Sequence, residues 1–169
     1  HHFFDQQWHV RSDTYTFGHD IEASWLLCEA VEVLGFPPLL AKTRAVALRM
    51  AAVARDEGLS AGGGLSYEGH SGQVIDCGRE CWPQAEALVG FLNAWQLGGD
   101  AGYLVAAQQV WHFIERHMVD RVHGEWFWRI DADGQPDPAL PKVSEWKGPY
   151  HATRACLEIQ RRLADLPTH

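Results

Sequence analysis

Three short segments of the sequence each pair an aromatic or imidazole side chain with a carboxylate or a guanidinium a few residues later. The pairs are His19 with Glu22, Trp82 with Glu86, and His151 with Arg154. Residues three or four positions apart share one face of a helix and can act on one ligand. An imidazole can accept or donate a proton near neutral pH, and a neighbouring charge can orient it. The pattern indicates proton transfer on a polar organic ligand, with His19 and His151 as the candidate acid and base and Glu22 beside them.

Tryptophan supplies a second chemical signal. The chain has 8 tryptophans in 169 residues, and Trp25, Trp82 and Trp146 lie within or beside the same three segments. An indole face next to polar side chains suits an amphipathic ligand such as a sugar, but the same rings also suit a protein core. These three tryptophans, with Glu86 and Arg154, are therefore candidate sugar-binding residues, and core packing is the alternative for the rings.

Each polar candidate also has a structural interpretation. A histidine just before a helix often caps that helix or faces solvent. Glu22 and Glu86 could stabilise their helices as acidic first-turn residues, and Arg154 could lie on a solvated face. Spacing alone does not decide between these roles and catalysis.

Five helices are predicted to position these segments. Hydrophobic periodicity, proline near the starts and glycine after the ends define their limits. They run from Asp20 to Leu34, Leu39 to about Asp56, Pro83 to Leu97, Gly102 to Val119 and about His151 to Leu163. A small β-hairpin is expected from Trp126 to the turn at Asp133–Gly134, because aromatic and β-branched residues precede that turn.

The helices alternate in character. The first, third and fifth are interpreted as buried, whereas the second and fourth carry a polar face and are interpreted as outer helices. Concentric rings of inner and outer helices, an all-α barrel, explain this alternation better than a four-helix bundle. In such a barrel the inner helices run parallel, so the candidate residues at their N-termini should converge at one mouth. The positive end of a helix dipole disfavours imidazolium there and favours a developing anion.

Composition limits the alternatives. The net charge of −8, from 22 acidic and 14 basic residues, disfavours a nucleic-acid partner, which would need clustered lysine and arginine. No apolar run has the roughly 20 residues needed to span a bilayer, and no leader is recognised, so we expect a cytoplasmic protein with no membrane partner. Cys77 and Cys81 lack a second ligand pair, and His112 and His117 are five residues apart, so no metal site is predicted.

At the candidate segments the sequence resembles the N-acylglucosamine 2-epimerase family, and within it the enzymes that act on cellobiose or mannobiose. The resemblance extends from Phe4 to about Leu163 in this order and spacing. The segments that carry it are residues 17–27, 81–87, 124–128, 146–151 and 154–158.

The resemblance implies an (α/α)6 barrel, of which this chain is about half, and epimerisation at C2 of a reducing-end sugar without cofactor or metal. His19 and His151 match the acid/base pair on opposite sides of the sugar, and Glu22 matches the carboxylate that holds the first histidine and sugar hydroxyls. Positions that contact the sugar are matched by Trp25, Trp82, Glu86 and Trp146, and Arg154 matches a supporting position near His151.

The resemblance also implies a partner for the chain. Residues 1–169 match the C-terminal half of one barrel domain, so the N-terminal half and its own site residues are missing here, and a homodimer is left open. Gly148 and the Ala152–Thr153 pair depart from the family pattern, which bears on substrate preference. The alternatives are an N-acetylglucosamine 2-epimerase, a mannose isomerase, an α/α-barrel glycoside hydrolase using Glu22 and Glu86, and a non-catalytic carbohydrate-binding or dimerising fragment.

Overall fold

Five α-helices and five short strands make up the protein in a computed structural model, which describes residues 4–166. The helices are α1 (Phe17–Leu34), α2 (Pro37–Val53), α3 (Cys81–Gly98), α4 (Ala101–Phe113) and α5 (Tyr150–Ala164). The strands are β1 (Thr14–Thr16), β2 (Glu68–His70), β3 (Gln73–Asp76), β4 (Arg79–Glu80) and β5 (Arg129–Ile130). Single π-helical turns continue α2 (Ala54–Gly58) and α4 (Ile114–Met118). All five predicted helices are confirmed within a few residues.

The helix ends follow local chemistry. Gly35 and Gly99 end α1 and α3 with φ of 65° and 72°, a left-handed conformation that glycine adopts without a Cβ clash. Asp100 begins α4, where its side chain accepts a hydrogen bond of 2.8 Å from the Gly102 amide. These signals are readable in the sequence, which is why the predicted limits are close.

Helix α3 lies at the centre of the structure, between α1 and α5, and 13 of its 18 residues are buried. Helices α2 and α4 pack on the outside of this layer, α2 against α1 and α3, and α4 against α3. The prediction that α5 is a buried helix is wrong within this chain, because only Ala155 and Arg162 of α5 are buried. Helix α5 packs against α3 on one side, and its other side is exposed.

The contact between α1 and α3 is close because α3 has a glycine at the crossing. A Cβ on Gly90 would lie 2.5 Å from the side chain of Ile21 and 2.9 Å from its carbonyl oxygen. Ile21 belongs to the main apolar core, in which Phe17, Ile21 and Phe91 are completely buried. The close approach fixes the N-terminal half of α1 against the middle of α3.

Two small antiparallel sheets hold the segments that precede the inner helices. Strands β1, β2 and β3 form one sheet, in which β2 and β3 are a hairpin and Thr14 pairs with His70. Strands β4 and β5 form the other, with Arg79 opposite Ile130. The hairpin predicted around residues 126–134 is only partly present, since a turn and the isolated Ile130–Pro136 bridge form there but β5 pairs mainly with β4. Strand β5 therefore forms its ladder with β4, which is distant in sequence, and pairs across the local turn only at the Ile130–Pro136 bridge.

Within residues 4–166, every helix is too short or too polar to cross a membrane.

Candidate active site

The N-termini of three helices meet around one cavity of about 420 Å³. His19 lies in the first turn of α1, Trp82 in that of α3 and His151 in that of α5. The side chains that line the cavity are His19, Glu22, Tyr67, Glu80, Trp82, Trp128, Trp146 and His151. The structure therefore brings together the three segments singled out in the sequence, as parallel inner helices require.

Both candidate histidines pack against the same indole. The ring centroids of His19 and Trp82 are 4.7 Å apart, with an edge-to-face angle of 62°. Those of Trp82 and His151 are 5.5 Å apart and tilted by 44°. The two imidazole centroids are thus separated by at most the sum of these distances, about 10 Å. Gly18 makes room for this indole, because a Cβ there would lie 2.6 Å from the Trp82 ring.

His19 is held from the strand that leads into its helix. The Nδ1 atom of His19 and the Oγ1 atom of Thr16 are joined by a hydrogen bond of 2.5 Å. Thr16 is buried and is the last residue of β1, where it pairs with Glu68 of β2. Sequence reasoning missed Thr16, because its role depends on a sheet between segments more than 50 residues apart.

His151 is held by a buried carboxylate. The Nδ1 atom of His151 lies 2.6 Å from Oε1 of Glu86, a residue with 0 % exposure. The other carboxylate oxygen of Glu86 accepts a hydrogen bond of 3.0 Å from Nε1 of Trp25. Because a carboxylate accepts hydrogen bonds, the His151 Nδ1 carries the proton, and Nε2 is left for proton exchange.

Arg154 joins the two carboxylates of the site. One of its terminal nitrogens lies 2.6 Å from Oε1 of Glu86 and 2.6 Å from Oε1 of Glu22. The other donates to the Tyr150 hydroxyl at 2.6 Å. Burial works against the guanidinium charge, but the bonds to Glu86 and Glu22 outweigh it and raise the pKa of Arg154 above the ordinary arginine value. The site therefore contains a fixed cation beside His151.

Three of the candidate sugar-binding residues, Trp25, Glu86 and Arg154, do not line the cavity. Trp25 is 1 % exposed and Glu86 is fully buried, and neither lines the cavity. The Glu86 carboxylate bonds to Trp25, His151 and Arg154, and contact of these residues with a sugar stays a prediction. Trp82, Trp146 and Glu22 line the cavity as predicted, and Trp146 is 84 % exposed.

The same carboxylates raise the question of a metal ion. One ligand atom from each of Glu22, Glu86 and His151 falls within 4.8 Å of the others, so this group could hold a cation. The Arg154 guanidinium, however, bonds to both carboxylates and supplies the positive charge between them. The donor set fits a permanent arginine better than a metal.

Comparison with known proteins identifies relatives of this chain. The sequence model of the family described as N-acylglucosamine 2-epimerase (GlcNAc 2-epimerase) matches residues 1–155. The cellobiose 2-epimerase of Bacteroides fragilis is 44 % identical over 162 residues, which are 93 % of this chain and 40 % of that protein. The cellobiose 2-epimerase of Dictyoglomus turgidum is 39 % identical over 95 % of this chain and 41 % of its own length. The chain thus spans about 40 % of the length of these curated relatives.

Solved structures agree with the sequence matches. A sugar epimerase from a ruminal bacterium superposes with a TM-score of 0.89 and 34 % identity, over 98 % of this chain and 42 % of that one. The cellobiose 2-epimerase of Bacillus thermoamylovorans superposes with a TM-score of 0.88 and 37 % identity, over 95 % of this chain and 40 % of that one. D-mannose isomerase, at 21 % identity and a TM-score of 0.84, shares the fold. These superpositions confirm the predicted α/α-barrel class, of which this chain forms a part.

Proposed function

Because the chain belongs to the N-acylglucosamine 2-epimerase family, we propose that the full-length protein epimerises a reducing sugar at C2. The substrate we propose is the reducing-end glucose of a β-1,4-linked disaccharide such as cellobiose, with glucosyl-mannose as the product. Cellobiose 2-epimerases at 39–44 % identity support this choice.

In the proposed reaction the sugar ring opens and exposes a C1 carbonyl, which makes the hydrogen on C2 weakly acidic. One histidine of the pair His19 and His151 removes that proton, and the electron pair of the C–H bond moves toward the carbonyl to give a cis-enediolate. The other histidine then delivers a proton to the opposite face of C2, and the carbonyl forms again. Atoms and charge balance, and the configuration at C2 is inverted.

The observation that carries this proposal is the placement of both imidazoles against one indole at a shared cavity. Two bases acting on one carbon must lie on opposite sides of it, within hydrogen-bond range of the transferred proton. The ring centroids are at most about 10 Å apart, so both imidazoles are near enough to act on one sugar. Trp82, which contacts both rings, would form the floor under that sugar.

The neighbouring residues have supporting roles in this reaction. Glu86 orients His151 and fixes its tautomer, and Trp25 holds Glu86 from behind. Arg154 bonds to both Glu86 and Glu22 and is proposed to hold in place the carboxylate that orients His151. Glu22 and Trp146 line the cavity and are proposed to contact sugar hydroxyls and a sugar face.

We also propose that residues 1–169 are the C-terminal half of a single barrel domain and that the N-terminal half completes the site. Apolar side chains exposed on the outer edges of α1 and α5 support this, among them Val33 at 90 % and Leu157 at 61 % exposure. The N-terminal half of the barrel would cover these edges. The cytoplasmic location and a homodimer remain predictions.

The geometry disfavours a glycoside hydrolase built on Glu22 and Glu86. Such an enzyme needs one carboxylate on each side of the glycosidic bond. Here both carboxylates bond to the same nitrogen of Arg154, and Glu86 is completely buried.

The test uses the full-length protein in D2O with cellobiose, mannose and N-acetylglucosamine in turn, analysed by NMR. We expect cellobiose to give glucosyl-mannose with one solvent deuterium at C2. N-acetylmannosamine from N-acetylglucosamine, or fructose from mannose, as the main product would assign the protein to one of the two related activities. Release of glucose from cellobiose, or no conversion of any sugar, would contradict the proposal.

A further inference from the structure

The segment 142–149, here called the 142–149 loop, lies beside the cavity and leads directly into α5. It is irregular in structure, yet it contains Trp146, which lines the cavity, and it ends two residues before His151. A loop of this kind needs specific contacts to keep a large indole in one place, because its own backbone forms no helix or strand.

A buried lysine supplies such a contact. Lys147 is 3 % exposed, and its Nζ atom donates a hydrogen bond of 2.8 Å to Oε1 of Glu125. It lies in a narrow crevice with Trp82, Trp126, Trp128 and Trp146. A lysine is seldom buried unless its charge is paired, so the site must hold Glu125 and Lys147 together. Lys147 does not line the main cavity, but its crevice borders that cavity through Trp82, Trp146 and His151.

Hydrogen bonds within residues 144–147 connect Lys147 rigidly to Trp146. Oγ of Ser144 accepts hydrogen bonds of 3.1 Å from the amides of both Trp146 and Lys147, and the Ser144 amide donates to the Lys147 carbonyl at 2.9 Å. Residues 144–147 are thus one tight turn. Fixing the Lys147 side chain fixes the turn, and with it the start of the Trp146 side chain.

We infer that Lys147 is a positioning residue for sugar binding: its buried ion pair with Glu125 holds Trp146 in place at the edge of the cavity. Without this pair the turn keeps its internal hydrogen bonds but loses its attachment to the 120–125 segment near Trp146. The inference rests on the proposed function, because it assigns Trp146 to a sugar site.

The test measures binding of cellobiitol, the reduced form of cellobiose, by calorimetry with the full-length protein. Cellobiitol has no C1 carbonyl and cannot react, so binding is read independently of turnover. We expect Lys147→Met to weaken cellobiitol binding by about tenfold, the order of one lost aromatic contact. The KM for cellobiose should rise by a similar factor, and kcat should change much less.

A double-mutant comparison separates positioning from general loss of structure. In the Trp146→Ala background, Lys147→Met should have almost no further effect on cellobiitol binding, because the ring it positions is already absent. Lys142→Met is the matched control, since Lys142 anchors the far end of the same loop to Asp120 and to the Gly124 carbonyl. This control should lower Tm and leave cellobiitol binding within about twofold of wild type.

Three results would overturn the inference. They are normal cellobiitol binding by Lys147→Met, equal weakening by Lys142→Met, and a full additional loss when Lys147→Met is added to Trp146→Ala. An inactive wild type that still binds cellobiitol would contradict the proposed epimerisation, while the binding comparison would still decide the role of Lys147.

Discussion

Replacing Glu86 by glutamine tests the buried partner of His151 most sharply. Three donors converge on this carboxylate, from His151, Arg154 and Trp25. A carboxamide has one acceptor oxygen, and its NH2 group would point at one of these donors. A hydrogen bond to a charged group is worth about 1.5–3 kcal/mol, and Arg154 keeps its second carboxylate, Glu22. We therefore expect a loss of about 2–3 kcal/mol in the free energy of unfolding.

The effect on catalysis should exceed the effect on folding. Glu86 fixes the proton on Nδ1 of His151, and a histidine in the wrong tautomer cannot exchange a proton with the sugar at Nε2. For Glu86→Gln we expect kcat for cellobiose to fall at least about 100-fold, or about 2.7 kcal/mol in activation free energy, in protein that is still folded. Steady-state kinetics and chemical denaturation of the full-length protein measure the two quantities.

Glu158→Gln is the control for that experiment. Glu158 also lies against arginine, at 2.7 Å from Arg161, but on the part of α5 remote from the cavity. It should cost some stability and leave kcat unchanged. A Glu86→Gln enzyme with kcat within about threefold of wild type would refute the assignment of Glu86 to His151.

Two further predictions concern stability. Gly90→Ala should lower the free energy of unfolding by about 1–3 kcal/mol despite the better helix propensity of alanine, because the new Cβ would clash with α1. The control is Gly98→Ala, whose Cβ would meet Leu48 at an ordinary contact distance of 3.5 Å. It should be neutral or raise the free energy of unfolding by up to about 1 kcal/mol. Equal losses of unfolding free energy in both variants, measured by denaturant titration, would contradict the packing argument. The Arg129 guanidinium lies 2.5 Å from Asp76 and lowers the pKa of that carboxyl. The ion pair therefore stabilises the fold fully above a pH of about 4, and this stabilisation is lost as the pH falls further. The stability difference between wild type and Asp76→Asn should thus be larger at pH 7 than at pH 3, and a constant difference would contradict it.

The helices could be predicted because their signals are local. The glycines at 35 and 99 lie directly after the helices they end, and Asp100 lies directly before the helix it caps. The convergence of His19, Trp82 and His151 also followed from the sequence, because parallel inner helices place their N-termini at one end.

The roles of individual site residues were harder to predict, because burial is decided by distant partners. Trp25 and Glu86 look like sugar contacts in the sequence, yet they bond to each other across 61 positions and lie behind the cavity. The hydrogen bond between Thr16 and His19 depends on β1 pairing with β2. The exposure of α5, in contrast, agrees with its own sequence, in which Thr153, Gln160 and Arg161 are polar and exposed.

If His19 and His151 act on opposite faces of C2, each histidine exchanges the C2 hydrogen of only one epimer, and deuterium exchange measures this. His19→Asn and His151→Asn full-length variants would each be incubated in D2O with cellobiose and, separately, with glucosyl-mannose. Two bases on opposite faces predict that neither variant interconverts the epimers, and that each incorporates deuterium into only one of them, a different one for each variant. If either variant still interconverts the two sugars, or if both exchange the same epimer, the two-histidine account is contradicted.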